Sequence, residues 1–452
     1  MIMSKMDEHP SVINYYKKRS AAGAAVGAGK PDVLSAAWLR EVCREAGADD
    51  SGFVGIGSPY LSGEKDDILA RFPRTKSLIS IVCRMNRGAI RTPARSVSNL
   101  EFHHTGDRVN EVARRIVSVL EENGIWALNP PMGFPMEMAD FPGNIRVVSH
   151  KTAAVAAGMG QMGINRNVIH PKFGNFILLG TVLTEAEIDL YDAPVDYNPC
   201  VECKLCVAAC PVGAIAPDGY FNFSACYTHN YREFMGGFTS WVEGIAESGS
   251  AKGYRRRFTD SESASMWQSL SFGANYKAAY CMAVCPAGED VIGPFLESRK
   301  TYLDDILKPL QNKEETVYVV RDSDAETHVS KRFPHKTVKT VSNVLRPKSV
   351  AGFLDRLTLI FQRDKSEGMD ATYHFTFTGE EQLFATVIIR NKSVEVHREL
   401  RGAPDLRVKA DSRTWLGFIR KENGIVIPLL LGKIRIKGSV GLLKVFGRCF
   451  LS

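Results

Sequence analysis

A cysteine run between residues 198 and 211 constrains this chain more than any other stretch of its sequence. It reads N-P-C-V-E-C-K-L-C-V-A-A-C-P, with the spacing C-x2-C-x2-C-x3-C and a proline after the last cysteine. The cysteines are Cys200, Cys203, Cys206 and Cys210. In cubane iron–sulfur proteins with this spacing, three thiolates reach one cluster and the fourth faces a second. Zinc sites usually pair two C-x2-C knuckles and lack the C-P ending, so the run favours clusters over zinc or a disulfide pair.

Three later cysteines, Cys226, Cys281 and Cys285, extend this prediction. Because Cys285 is also followed by proline, we expect it to return and complete the first cluster. Cys210, Cys226 and Cys281 then remain for a second cluster. A full second run would carry a cysteine at position 278, where this chain has Ala278. Three alternatives stay open for the second cluster: a non-cysteine fourth ligand, a three-iron cluster, or a degenerate site.

Composition narrows the class of protein. A chain of 452 residues with 44% hydrophobic and 24% charged residues is typical of a globular protein with more than one domain. Cluster ligands and free thiols indicate a reducing compartment, and we expect a cytoplasmic location. The sequence predicts no membrane span and no signal peptide, and residues 1–32 are expected to form a flexible leader. The net charge of +7 is modest, and the basic run 255–257 is typical of a solvated loop, so no nucleic-acid partner is expected.

Helical patterns alternate with short apolar strands between residues 33 and 195, which predicts an α/β layer arrangement. Gly158, Gly160 and Gly163, followed by Asn165, resemble the dinucleotide fingerprint G-x-G-x-x-G. The match is weak, because no strand directly precedes the glycines and no acidic residue follows at the usual distance. Residues 301–344 are highly charged and are predicted to be a linker.

The stretch from residue 345 to 452 predicts a separate α+β domain with alternating strands and a hairpin. Its apolar content suggests a hydrophobic cavity, although a merely well-packed domain is an equal alternative. The side chains expected around that cavity are Tyr373, Phe375, Phe377, Trp415, Leu430 and Leu443.

Residues 156–184, together with the cysteine run and Cys226, resemble the epoxyqueuosine reductase and reductive dehalogenase superfamily over about residues 35–300. The resemblance implies a corrinoid-binding-like α/β domain at 33–195 and a ferredoxin-type domain with two 4Fe-4S clusters at 196–300. It also implies an external electron donor of the ferredoxin or flavodoxin class. On this resemblance the glycine turn and Asn165 lie in the cobalamin-binding region rather than against a dinucleotide.

This chain departs from that superfamily before the glycine turn, where it reads N-I-R-V-V-S-H-K-T instead of the segment that carries a proton donor. Asp140, His104 and His150, and also Glu137, are candidates to replace that acid, although a structural role is more typical of each.

The tail resembles the sterol carrier protein family, through T-Y-H-F-T-F-T-G-E, W-L-G-F-I and L-L-L-G-K-I-R-I-K-G-S-V-G-L-L. This implies a lipid-binding domain at 345–452. The combined hypothesis is an iron–sulfur reductase that passes electrons through two clusters to a corrinoid and reduces an apolar or lipid-like substrate. The alternative is a non-catalytic electron-transfer and lipid-carrier protein whose corrinoid site has decayed.

Overall fold

The computed structural model describes residues 6–21 and 32–451, and none of the helices in those ranges is long and apolar enough to cross a membrane. The predicted flexible leader contains a helix, α1 (Pro10–Ala21), which corrects part of that prediction. Pro10 suits the first turn of a helix, because its missing N–H would have no intrahelical partner there. Residues 1–5 and 22–31 of the predicted leader lie outside the described residues.

A sheet with helices on both faces forms the region from Val33 to Ile188. Its helices are α2 (Ala36–Ala46), α3 (Lys65–Arg71), α4 (Arg87–Arg91), α5 (Arg95–Glu122) and α6 (His150–Ala156). Its strands are β1 (Val33–Leu34), β2 (Asp50–Gly55), β3 (Ser77–Arg84), β4 (Ala127–Leu128), β5 (Gln161–Met162), β6 (Val168–Ile169), β7 (Ile177–Thr184) and β8 (Glu187–Ile188). The main sheet has the order β2-β3-β7-β4, and every pairing in it is antiparallel.

Alternation along β3 explains the layers. Ile79 and Ile81 pack against α2 and α5, whereas Leu78 packs with Ala153 of α6 on the opposite face. The layering predicted from the sequence is therefore present, with strands that run antiparallel.

Short helices dominate the region that carries the cluster cysteines. They are α7 (Leu205–Ala209), α8 (Phe223–Asn230), α9 (Met235–Ala246), α10 (Ala251–Arg257), α11 (Asp260–Phe272), α12 (Tyr280–Ala283), α13 (Gly293–Glu297), α14 (Arg299–Tyr302) and α15 (Lys308–Gln311). A π-helical segment, Leu303–Leu307, joins α14 to α15. The basic run at 255–257, expected to be a loop, ends helix α10.

The predicted linker at 301–344 is wrong, because most of it is folded. Strand β9 (Thr316–Val319), helix α16 (Asp324–Arg332) and strand β10 (Thr337–Thr340) form a β-α-β unit in which the two strands pair parallel. Val317 and Val329 of this unit share a hydrophobic cluster with Cys210 and Ala225. A segment that buries apolar side chains beside Cys210 is part of the structural core.

The C-terminal region is an α+β unit. Its helices are α17 (Val350–Ile360), α18 (Ser412–Ile419), α19 (Val426–Leu430) and α20 (Val440–Cys449). Its strands are β11 (Asp370–Thr378), β12 (Leu383–Arg390), β13 (Ser393–His397), β14 (Leu406–Asp411) and β15 (Ile434–Gly438), in the order β13-β12-β11-β14-β15. Tyr373, Phe375 and Phe377 alternate on β11 and are fully buried beneath α17, α18 and α20.

Candidate functional site

The cysteines expected to hold the first cluster line one small cavity. These are Cys200, Cys203, Cys206 and Cys285, and Asn165 and Ile169 close the same cavity. The loop of the run supplies the first two, helix α7 supplies the third, and the segment after α12 supplies the last. The structure therefore brings together residues that are up to 85 positions apart, from 200 to 285.

Cys210, Cys226 and Cys281 face one another in a second group. Burial and, to a smaller extent, the nearby Cys210 raise the pKa of Cys226 to about 12. Burial, and then Cys226 and Cys210, likewise raise the pKa of Cys281. Buried thiols with such neighbours become thiolates only when a cation ligates them, as cluster iron does. No three His, Cys, Asp or Glu side chains in the described ranges lie close enough to share a single metal ion.

A cavity of about 560 Å³ lies where the layered sheet region meets the cluster region. Most of its wall is apolar, including Met132, Val148 and Leu179, and Met282 closes it next to Cys281. Its polar lining residues include Glu137, His150, Lys151, Asn175 and Tyr231. A volume of 300–1,000 Å³ with few polar groups is typical of small-molecule and cofactor sites.

His150 lines this cavity, but both of its ring nitrogens are engaged. Nε2 donates to the Pro131 carbonyl at 3.0 Å, so Nδ1 accepts from the Thr181 hydroxyl at 2.8 Å. Burial lowers the pKa of His150, and the Pro131 carbonyl partly opposes that shift. The arrangement favours a neutral, fixed imidazole at the wall of the cavity.

The other predicted acids are placed differently. Asp140 lies on a single-turn 3-10 helix with its side chain 55% exposed, 3.3 Å from the Arg71 guanidinium, and it does not line the cavity. His104 is exposed on helix α5 and is also absent from the cavity wall. The structure therefore does not bring Asp140, His104 and His150 together. Glu137, named as a further candidate, does line the cavity.

The predicted cofactor-binding turn is occupied by protein. Gly158 has φ +75° and Gly160 has φ +146°, and a Cβ on either would meet a backbone oxygen, of Ala193 at 2.7 Å or of Ile169 at 2.4 Å. Gly163 is similarly close to the Ile169 side chain. These glycines serve close packing of the chain on itself and do not line the 560 Å³ cavity.

Asn165 is also placed differently from the prediction. It closes the cavity of the first cysteine group, and its amide donates to the Cys281 carbonyl at 3.4 Å. It therefore contacts both cysteine groups rather than the large cavity.

Lys151 is a residue that the sequence analysis did not identify. Its Nζ donates to the Arg166 carbonyl at 2.6 Å and to the Asn167 side-chain oxygen at 3.1 Å. Burial lowers the pKa of Lys151, whereas the nearby Cys281 and Cys226 raise it. A cationic side chain thus lies between the second cysteine group and the cavity. Its position directly after His150 gave no signal in the sequence, because its partners come from distant segments.

A second cavity, of about 230 Å³, lies in the C-terminal region, and Trp415 and Leu443 line it as predicted. The prediction for Tyr373, Phe375 and Phe377 is wrong, since they are core residues that do not line this cavity. The prediction for Leu430 is also wrong, because this residue lies on α19 and is 81% exposed.

Comparison with known proteins was made for both sequence and structure. The family model "4Fe-4S binding domain" matches residues 193–216. The chain is 36% identical to the epoxyqueuosine reductase of Lactococcus garvieae (strain Lg2) over 76 residues, which are 17% of this chain and 21% of that protein. It is 31% identical to the enzyme of the same name from Cyclobacterium marinum over 105 residues, 22% of this chain and 34% of that protein. The chain thus spans about a fifth to a third of the length of these curated relatives.

Among solved structures, epoxyqueuosine reductase with an epoxyqueuosine-modified tRNA stem loop matches with a TM-score of 0.32 and 17% identity, over 42% of this chain and 56% of that one. A catabolic reductive dehalogenase matches with a TM-score of 0.32 and 16% identity, over 39% of this chain and 25% of that one.

These findings establish a 4Fe-4S binding domain and correct one prediction. The expectation that excluded nucleic acid as a partner is wrong, because a protein that this chain resembles is solved with a tRNA stem loop. The basic run used for that exclusion lies at the end of helix α10 rather than in a loop. Arg256 and Arg257 line a cleft of about 740 Å³ together with Arg95, Lys277 and Lys339.

Proposed function

We propose that this chain is an iron–sulfur oxidoreductase that carries electrons through two clusters to a substrate in the 560 Å³ cavity. One observation carries the proposal: the two cysteine groups are contiguous, and the second reaches the cavity wall through Met282 and Lys151. The loop of the first group bears exposed Val201 and Glu202, where an external donor of the ferredoxin or flavodoxin class could dock. The reductase relatives support the same activity.

A corrinoid fits the donor set and the character of this cavity. The wall is mostly apolar and adjoins the second cysteine group. The side-chain oxygen of the buried Asn175 has no hydrogen-bond partner among the described residues, while its amide group lies against the Cys285 thiol. Asn175, Lys151 and Tyr231 are the residues that would hold the group. When bound, a corrinoid supplies a cobalt centre for two-electron reduction. The glycine turn takes no part in this proposal, because it does not reach the cavity.

The chain's own residues would position the substrate and supply a proton. Lys151 lines the cavity, and its ammonium would supply the proton. Neutral His150, fixed by Thr181 and Pro131, would hold the cavity wall in one geometry. The apolar lining would exclude water and favour an apolar part of the substrate.

The test is anaerobic purification with cobalamin added, followed by iron, sulfide and cobalt analysis and by electron paramagnetic resonance. Two iron–sulfur signals, with cobalt retained in proportion to protein, are expected. Iron–sulfur signals without cobalt would support the electron-transfer role and exclude a bound corrinoid. Zinc without iron or sulfide would overturn the whole proposal.

A modified tRNA is a second candidate substrate, and one feature of this chain favours it. The 740 Å³ cleft is lined by more cations than carboxylates: Arg95, Arg256, Arg257, Lys277, Lys313 and Lys339 stand against Glu262 and Glu315. Phosphate backbones bind to surfaces with such an excess of positive charge. The guanidinium nitrogens of Arg95 are buried and have no hydrogen-bond partner among the described residues. Reduction of an epoxyqueuosine-modified stem loop by the reconstituted protein would support this substrate, and lack of both turnover and binding would exclude it.

We also propose that the C-terminal region, from residue 345 to 452, carries an apolar molecule in its 230 Å³ cavity. The cavity is lined by aromatic and aliphatic side chains of α17, α18 and α20, such as Phe353, Phe418 and Leu443. If the corrinoid is absent, this carrier role and electron transfer would together describe a non-catalytic protein. Binding of a fluorescent apolar probe to the full-length chain tests it, with no binding as the contrary result.

A further inference from the structure

The cavity of the C-terminal region contains an unusual cation. Arg356, on helix α17, lines this cavity and is only 6% exposed. Its Nε and Nη2 atoms are buried and have no hydrogen-bond partner among the described residues. Burial and, to a smaller extent, the charge of Arg346 lower the pKa of Arg356 to about 10. A buried guanidinium without an acceptor is costly, so its position in a cavity points to a missing partner.

The charged side chains around Arg356 do not supply that partner. Asp355, its neighbour in the chain, turns outward and accepts from Arg398 at 2.7 Å. Lys421 is the other charged residue on the cavity wall, and the described lining residues include no carboxylate. The unpaired guanidinium atoms of Arg356 therefore place a positive charge on the wall of an otherwise apolar cavity.

A second unsatisfied donor lines the same cavity. The indole Nε1 of Trp415 is buried and has no acceptor among the described residues. Buried tryptophan N–H groups usually find an acceptor, because an unmade hydrogen bond costs about 1–3 kcal/mol. Arg356 and Trp415 thus offer hydrogen-bond donors from two helices, α17 and α18, to whatever occupies the space between them.

We propose that this cavity binds a single-chain anionic amphiphile. Its oxyanion head group accepts from the Arg356 guanidinium and the Trp415 indole, and its hydrocarbon chain packs against Phe418, Leu443 and Phe446. The proposal rests on the carrier role proposed for this region and adds the class of ligand. A carboxylate and a phosphate monoester share this head-group chemistry, and guanidinium groups bind both in bidentate fashion.

Physical chemistry predicts selectivity rather than mere affinity. A neutral alcohol of the same length buries the same hydrocarbon, yet it leaves the guanidinium unpaired. Sites built to pair a polar group strongly reject a ligand that lacks it, since their own buried donors stay unsatisfied. We therefore expect the anion to bind at least tenfold more tightly than the alcohol.

The experiment is calorimetric titration of the full-length protein with decanoate, decyl phosphate and decanol. Both anions are expected to outbind decanol, and their order identifies which head group the site prefers. The variant Arg356→Met should bind decanol as the wild type does and lose the preference for anions. Arg356→Lys should retain part of that preference. Arg413→Met, whose parent side chain is 84% exposed, serves as the matched control and should change nothing.

Each outcome separates the two proposals. Equal binding of decanoate and decanol by the wild type, or an anion preference that survives in a folded Arg356→Met protein, overturns the anionic ligand and leaves the carrier role. Absence of binding for all three probes overturns the carrier role and the anionic ligand together. Removal of an unpaired buried cation should not unfold the region, and circular dichroism verifies this for each variant.

Discussion

Lys204 and Ala279 adopt the same left-handed backbone conformation, with φ 52° and ψ 19° for Lys204 and φ 55° and ψ 23° for Ala279. Each residue is the N-cap of a short helix, α7 for Lys204 and α12 for Ala279. Cys203 precedes the first turn and Ala278 precedes the second. The two turns are therefore local copies, and Ala278 occupies the position that a ligand cysteine takes in the first copy.

The substitution Ala278→Cys should raise the iron content of the protein toward two four-iron clusters, because a new thiol would stand where the first turn carries Cys203. Iron and sulfide analysis of anaerobic protein measures this. Ala208→Cys adds a thiol on α7 outside the equivalent position and is the control. Wild-type protein that already holds two four-iron clusters, with no change on substitution, would show that another residue is the fourth ligand.

The short spacings within the run predict that Cys200, Cys203 and Cys206 lie together, and these three residues do line one cavity. The role of the glycine turn could not be predicted from the sequence. A glycine that is required by a close backbone contact looks the same in the sequence as one that is required by a cofactor. Gly160, against the Ile169 carbonyl, is such a case.

Burial and exposure of apolar segments were equally hard to derive. The charge of residues 301–344 predicts a linker, yet Val317 within this segment is fully buried. The apolar pattern of the tail predicts Leu430 at a cavity wall, yet Leu430 is exposed. Both depend on which distant segment packs against these residues, and a local pattern does not contain that information.

Cys203→Ala should remove the first cluster and destabilise the fold around it, since cluster ligation is coupled to folding of the ligand loop. We expect elemental analysis to show loss of about half of the iron, or of more than half if the second cluster is also lost. Cys449→Ala removes a fully buried cysteine in the C-terminal region and should leave iron unchanged. Equal iron in both variants would contradict the assignment of Cys203.

Lys151→Met should shift the reduction potential of the second cluster to a more negative value, because it removes a cation close to Cys226 and Cys281. It should also lower reductase turnover by about 100-fold if Lys151 supplies the proton. Redox titration followed by electron paramagnetic resonance measures the first effect. Lys65→Met, at an exposed position on α3, is the control. An unchanged reduction potential would show that the charge of Lys151 does not affect the second cluster.

A buried ion pair connects the β-α-β unit to helix α12. Lys336, whose side chain is 1% exposed, lies with its Nζ 2.8 Å from Glu315, and Glu315 accepts from the Tyr280 hydroxyl at 2.6 Å. Lys336→Met should lower the free energy of unfolding by about 2 kcal/mol, since Glu315 loses its nearer cation and keeps only Lys313 at 3.6 Å. The double variant Lys336→Met with Glu315→Gln should recover part of that loss. Thermal denaturation of both variants measures it, and equal destabilisation by single and double variants would show that no pairing is involved.

The free energy of unfolding should decrease as the pH falls, because burial lowers the pKa of His229 to about 4 in the folded chain. Because the unfolded chain takes up this proton near pH 6.5 and the folded chain only near pH 4, each pH unit lost in that window costs about 1.4 kcal/mol. The effect is absent above pH 6.5. His229→Gln should therefore flatten the fall in melting temperature between pH 6.5 and 4.5, although it weakens the acceptor that His229 Nδ1 offers to the Tyr318 N–H at 3.3 Å. His104→Gln, at an exposed position on α5, is the matched control, and an equal slope in His229→Gln and wild type would rule out His229 as a source of the acid sensitivity.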